Sequence, residues 1–234
     1  MISRYPALLI LAASLAGCTP ETETGEPGSR GSDDPAPAAD SRPVIVFLGT
    51  SLTAGLGVDP AQAYPALIQR RISAAGLDYR VVNAGVSGQV SAGSRSQLEW
   101  ILGRQQAAVL VVETGANDGL RGQDVDALRA NLDAILERAK RQDPPPRILV
   151  VGMEAPPNLG AQYTSRFRAV YPAVAEKYGA EYLPFLLEGV AGIDSLNQGD
   201  GIHPTPAGHR VIAETVWRAL EPLLSEAGQA SRSP

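Results

Sequence analysis

The stretch Val44-Ile45-Val46-Phe47-Leu48 followed by Gly49-Thr50-Ser51-Leu52-Thr53-Ala54-Gly55 decides the fold. A run of five apolar residues with no polar alternation is the signature of a strand covered on both faces. Glycine and small hydroxyl residues then break it into a turn. Ala108 to Val112 and Ile148 to Val151 repeat the continuous apolar pattern, and Tyr79 to Val82 and Tyr182-Leu183 read as shorter strands. Helical patterns fill the gaps. Tyr64 to Ala75 closes at Gly76. Ser94 to Leu102 follows. Asp124 caps a long helix with Val125, Leu128, Leu132, Ile135 and Ala139 on one face, ending in Lys140 and Arg141 before Pro144-Pro145-Pro146. Thr164 to Tyr178 is the next helix. Pro206 to Leu224 is the last, with Thr205 as its cap and Pro206 in its first position. Strands alternating with helices predict an α/β fold, a parallel sheet with helices on both faces.

The composition fits one globular domain with appendages. Of 234 residues, 44% are hydrophobic, enough for a core and too many for a mostly disordered chain. The net charge of −5 leaves no basic footprint for nucleic acid. A single cysteine excludes an internal disulfide framework, and two histidines leave little for a metal site.

Both ends read as non-core. Arg4, the apolar run Ala7 to Ala16 and the small residues before Cys18 have the layout of a secretory signal, residues 1–17, too short to span a bilayer as a helix. Leu15-Ala16-Gly17-Cys18 resembles the bacterial lipobox, which implies cleavage before Cys18 and lipidation of that cysteine. Residues 18–42 hold Pro20, Pro27, Pro35 and Pro37 among Glu, Gly, Ser and Asp, and read as a disordered linker holding the domain off a membrane. The domain is expected over 43–227 and a loose tail over 228–234. Thr19 does not resemble an inner-membrane retention signal, so the expected location is exported and anchored in the cell envelope, at the outer membrane facing the periplasm.

In parallel sheets, sites form just beyond the carboxyl ends of the strands. The first strand runs into Ser51, the second into Asn83-Ala84-Gly85-Val86-Ser87-Gly88 and the third into Thr114-Gly115-Ala116-Asn117-Asp118-Gly119. The loop after the fifth holds Asp200-Gly201-Ile202-His203-Pro204. These exits bring a hydroxyl, glycine amides, a carboxamide and an Asp/His pair to one edge. Those parts suit acyl transfer. Serine needs a base to become a nucleophile. His203 can supply it, and Asp200, three residues earlier, can hold the imidazole tautomer. The Ser51 and Gly88 backbone N–H groups and the Asn117 side chain can receive an oxyanion. Any one of these residues occurs by chance, but their order, each after its own strand, does not read as chance.

Competing motifs fail on spacing. Gly49 to Gly57 lacks the Gly-X4-Gly-Lys pattern of a phosphate loop, and Thr53 stands where the α/β-hydrolase elbow needs glycine. His203 and His209 have no third ligand, so no metal is expected, and His209 reads as a surface or packing residue. Tyr163, Phe167, Tyr171 and Tyr178 recur at helical spacing and read as core. Met153, Asn158 and Leu159 follow the fourth strand and are candidates for shaping a substrate pocket.

The four blocks together resemble those of the SGNH (GDSL-type) hydrolase superfamily, in the branch of bacterial arylesterases and multifunctional thioesterase/lysophospholipases. The resemblance runs from about Pro43 to Leu224. It implies a three-layer α/β/α sandwich around a five-stranded parallel, flavodoxin-like sheet. It implies Ser51 as nucleophile, Gly88 and Asn117 in the oxyanion hole, Asp200 and His203 as the remaining pair, an acyl or aryl ester substrate, possible activity on lysophospholipids or thioesters, and no cofactor. One position departs: the family block is usually Gly-Asp-Ser-Leu, and Thr50 replaces the aspartate, which predicts a less well-organised site with reduced or retuned activity. A carbohydrate O-deacetylase and a non-catalytic envelope-binding lipoprotein are the alternative readings.

Overall fold

A computed structural model describes residues 40–230, with side chains to Leu224. The signal segment, Cys18 and nearly all of the linker lie outside the described residues. Five strands form one sheet: β1 (Val44–Gly49), β2 (Arg80–Gly85), β3 (Val109–Glu113), β4 (Arg147–Val151) and β5 (Glu181–Leu183). Their order is β2-β1-β3-β4-β5, and every pairing is parallel. This is the α/β architecture that the strand–helix alternation predicts. The burial of each strand follows its place in the sheet. β1 and β3 are buried at every residue, whereas the edge strands β2 and β5 are only partly covered. Burying each large side chain of the central strands stabilises the fold by roughly 1.5–3 kcal/mol.

The helices are α1 (Ser51–Ala54), α2 (Tyr64–Ala74), α3 (Ser91–Leu102), α4 (Ala116–Leu120), α5 (Val125–Lys140), α6 (Ala161–Tyr178) and α7 (Pro206–Ala230). α2 packs with α7, and α3, α5 and α6 pack in sequence with one another. Right-handed crossovers put these two groups on opposite faces. The predicted apolar face of α5 is buried, and Asp124 caps the helix by accepting from the Asp126 N–H at 2.8 Å. Thr205 accepts from the Gly208 N–H at the start of α7. Phe167 and Tyr171 are buried, and Tyr163 and Tyr178 pack against the same core.

The differences from the sequence reading have tertiary causes. β2 runs on through Asn83 to Gly85 because those residues pair with Phe47 to Gly49 on β1. α3 begins at Ser91, three residues early, because Asp118 captures its first turn from another segment. The Asp118 carboxylate accepts from the Ser91 N–H at 2.8 Å and from its hydroxyl at 2.5 Å. Two short helices, α1 and α4, add to the elements that the sequence pattern shows. α6 starts at Ala161, and α7 continues to Ala230, past the expected boundary at 227.

His209 is a packing residue, fully buried in α7. Its ring stacks on Tyr64, and its Nδ1 accepts from the Tyr64 N–H at 3.3 Å. Its Nε2 has no hydrogen-bond partner among the described residues. Burial pushes its pKa down from 6.5 to about 4. The folded state therefore favours the neutral ring, and stability present above the ordinary imidazole range is lost as pH falls from 6.5 towards 4. His209→Gln should flatten that loss: between pH 7 and pH 4.5 the melting temperature of the variant should drop by less than that of the parent protein. Equal drops would remove His209 from the acid response.

Candidate active site

The parallel register sets the floor of the site. Gly49 pairs with Gly85, and Glu113 pairs with Val151, so the exits of β1 to β4 lie along one edge of the sheet. Ser51 opens α1 immediately after β1. It is only 8% exposed. The turn needs glycines for space: a Cβ on Gly49 would sit 2.0 Å from Thr53 Oγ1, and one on Gly85 would sit 2.2 Å from the Ala54 nitrogen.

The Asp200 to His203 loop reaches Ser51 from the far end of the chain. The His203 Nε2 lies 2.9 Å from Ser51 Oγ, and its Nδ1 lies 2.6 Å from Asp200 Oδ2. Asp200 Oδ1 accepts from the N–H groups of Ile202 at 2.9 Å and His203 at 3.0 Å. The bond to the imidazole, then these two backbone donors, hold the Asp200 pKa well below the usual carboxylate range. With its Nδ1 proton directed at an ionised carboxylate, His203 presents an unprotonated Nε2 to the serine hydroxyl.

Hydrogen bonds lock the neighbouring exits together. The Val86 N–H donates to the Gly49 carbonyl at 3.0 Å. Gly88 has a φ of 76°, which aims its amide in a way that a side-chain-bearing residue rarely adopts, and its carbonyl accepts from Arg121 Nη2 at 3.0 Å. Asn117 Nδ2 donates to the Gln89 carbonyl at 3.0 Å, which orients the carboxamide and leaves a second N–H. Asp118 fixes α4 to α3 through Ser91, whose hydroxyl also accepts from Asn131 Nδ2 at 2.9 Å. Beneath them, the Tyr171 hydroxyl donates to the Thr114 carbonyl at 3.0 Å.

The structure thus brings Ser51, His203 and Asp200 into contact and places Gly88 and Asn117 on adjoining exits. It places the three pocket candidates apart in character. Met153 is buried in the core, Leu159 packs against the core near Gly122, and Asn158 is exposed. Among the described residues no cluster of three or more His, Cys, Asp or Glu side chains is arranged to hold a metal ion.

Two residues went unread in the sequence. Gln198 donates from Nε2 to the carbonyls of Leu56 at 2.8 Å and Pro204 at 2.9 Å, tying the histidine loop to the serine segment. Gly57 makes room for it, since a Cβ there would lie 2.1 Å from Gln198 Oε1. Glu113, the last residue of β3, is completely buried and accepts from the Thr50 N–H at 2.8 Å, the Thr50 hydroxyl at 3.0 Å and the Thr53 hydroxyl at 2.7 Å. Its signal was visible: a carboxylate closing the apolar run Val109-Leu110-Val111-Val112. The replacement at position 50 has therefore not left an idle side chain, because Thr50 engages Glu113 through both its amide and its hydroxyl.

The sequence profile of the GDSL-like lipase/acylhydrolase family matches residues 47–211, a span that contains every residue of this constellation. The chain belongs to that family. Esterase TesA of Pseudomonas aeruginosa is 41% identical over 180 residues, covering 77% of this chain and 89% of the relative. An arylesterase of Vibrio mimicus is 31% identical over 75% of this chain and 87% of its own length. Thioesterase 1/protease 1/lysophospholipase L1 of Escherichia coli K12 is 34% identical over 81% of this chain and 88% of its length. The crystal structure of TesA superimposes with a TM-score of 0.74, covering 77% of this chain and 99% of that one. The five-stranded parallel sheet is the fold of this family.

If the free N–H of Asn117 serves the reaction, Asn117→Ala should lower kcat by ~100-fold, the usual effect of losing one oxyanion donor, with little change in KM. A variant retaining the parental kcat on a cleaved ester would exclude that role.

Proposed function

We propose that the chain is a serine esterase that hydrolyses carboxylic esters of apolar acyl or aryl groups through an acyl-enzyme on Ser51. The observation that carries this reading is the hydrogen-bonded series Ser51–His203–Asp200. Ser51 Oγ attacks the ester carbonyl carbon while His203 Nε2 takes its proton. The Ser51 and Gly88 amides and the Asn117 carboxamide stabilise the negative oxygen. Collapse of the tetrahedral intermediate breaks the ester bond, and His203 returns the proton to the departing alcohol or phenol. Water then repeats the sequence against the acyl-serine, freeing the acid and restoring Ser51. Asp200 remains ionised and stabilises the imidazolium.

Exposed apolar residues on the segments that carry the site favour apolar esters over acetylated sugars. Leu56, Val86, Leu120 and Ile202 are large, apolar and exposed, and each stands on a segment that carries a site residue. Leu56 follows α1, Val86 precedes Gly88, Leu120 ends the helix of Asn117, and Ile202 adjoins His203. A polar sugar gains little from such apolar surface, whereas an acyl chain or aromatic leaving group that packs on it loses contact with water. The names of the relatives point the same way, towards esterase, arylesterase and lysophospholipase chemistry. The intact hydrogen-bond series argues against a purely binding role.

We further propose that the enzyme is exported and held in the cell envelope, at the outer membrane facing the periplasm, through lipid on Cys18. The support is the lipobox-like Leu15-Ala16-Gly17-Cys18 and the proline-rich stretch after it. No helix of the described residues is long and apolar enough to cross a membrane.

p-Nitrophenyl esters of increasing acyl length test the chemistry. Turnover should extend beyond acetate to medium chains and should vanish in Ser51→Ala. Turnover confined to acetylated sugars, or none in the folded protein, would overturn the assignment. For anchoring, Cys18→Ser should move the protein from the membrane to the soluble fraction of an expressing cell, and unchanged membrane association would refute the lipid anchor.

A further inference from the structure

We propose that Glu113, through Thr50 and Thr53, is the positioning residue for the Ser51 turn, so that the nucleophile is aimed from beneath the sheet edge as well as by His203 from above. The inference rests on the esterase reading of Ser51 and adds a residue to it. Thr50 precedes the nucleophile, and Thr53 lies one residue beyond its other neighbour. Both hydroxyls and the Thr50 amide converge on a single carboxyl group, with Thr53 also within 2.7 Å of the Tyr64 hydroxyl. A carboxyl group on β3 thus holds the β1 exit on both sides of Ser51.

The space for this clamp is built in. A Cβ on Gly49 would lie 2.7 Å from Glu113 Oε2 as well as against Thr53, so glycine alone admits the arrangement. Thr50 and Thr53 are themselves fully buried. The phenols of Tyr64 on α2 and Tyr171 on α6 feel the Glu113 charge, and both are raised, first by their burial. Among the described residues, the groups set against the burial of this carboxyl are the Thr50 and Thr53 hydrogen bonds and not a cation.

A buried ionisable group without a counter-ion is a poor way to stabilise a core, since an apolar side chain of that size fills the space at lower cost. Its place at a strand exit under the nucleophile gives it a use. Burial pushes its pKa up from 4.5 to about 7. The Thr50 hydroxyl suits both protonation states, donating to the carboxylate or accepting from the carboxylic acid. An aspartate at position 50 would instead set a second carboxyl against the first, and the two would have to share a proton. Threonine therefore organises this turn by hydrogen bonding in place of charge.

The test compares Thr50→Val, which keeps the shape and removes the hydroxyl, with Thr50→Ser, which keeps the hydroxyl and removes the methyl group. Glu113→Gln is the third variant, keeping the shape of the acceptor while replacing one oxygen by a donor. Steady-state turnover of a p-nitrophenyl ester and the rate of covalent labelling of Ser51 by an alkyl phosphonate would be measured on each, with melting temperature recorded separately. Thr50→Val and Glu113→Gln should lose ~10-fold or more in kcat and in labelling rate, with KM within about twofold, as expected when a nucleophile is displaced slightly. Thr50→Ser should stay within about threefold of the parent. Equal rates for Thr50→Val and Thr50→Ser, or a folded Glu113→Gln with parental kcat, would overturn the proposal. Should Thr50→Val not fold, the Thr50→Ser and Glu113→Gln pair decides the matter alone. An inert parent protein, or a Ser51→Ala variant that still cleaves the ester, would instead count against the esterase reading.

Discussion

The structure depends on the parallel pairing of β1 with β2 on one side and β3 on the other. That pairing buries β1 completely and fixes where its chain must leave the sheet. The serine turn is strained for space at this point, bounded by Gly85 and crowded by Thr53 and Glu113. Everything chemical follows from the common level of the exits. A slip of one strand by one residue would turn Glu113 out of the interior, leave the Thr50 amide without its acceptor and move Ser51 away from the imidazole.

Around that floor, the site is assembled by backbone groups more than by side-chain packing. The Asp200 carboxylate is held by two amides of its own loop, and the loop is held to the serine segment by Gln198 acting on carbonyls. Gly88 and Asn117 are likewise restrained through the carbonyls of Gly88 and Gln89. Such bonds tolerate variation in the side chains around them while preserving distances.

The elements with strong local signals were legible in the sequence. The uninterrupted apolar runs of β1, β3 and β4 could only be buried strands, and the Asp124 and Thr205 caps announced their helices. The candidate site residues were legible because each sits in a segment that follows a strand, with Asp200 and His203 in the long loop after β5. What escaped was fixed by distant parts of the chain. The early start of α3 depends on Asp118, 27 residues away, and the end of β2 depends on its partner β1. Glu113 looked like the end of a strand, and its meaning comes only from Thr50, 63 residues before it. Met153 follows a strand exit and is buried against the core, a depth that its place in the sequence did not reveal.

The alcohol and its base are 152 positions apart, at opposite ends of the folded unit. During synthesis the ribosome releases the serine first and the imidazole near the finish. A chain that stops short of residue 203 lacks the ring that lies 2.9 Å from the Ser51 hydroxyl. The contact between Ser51 and His203 can form only once the chain has been made as far as the loop after β5.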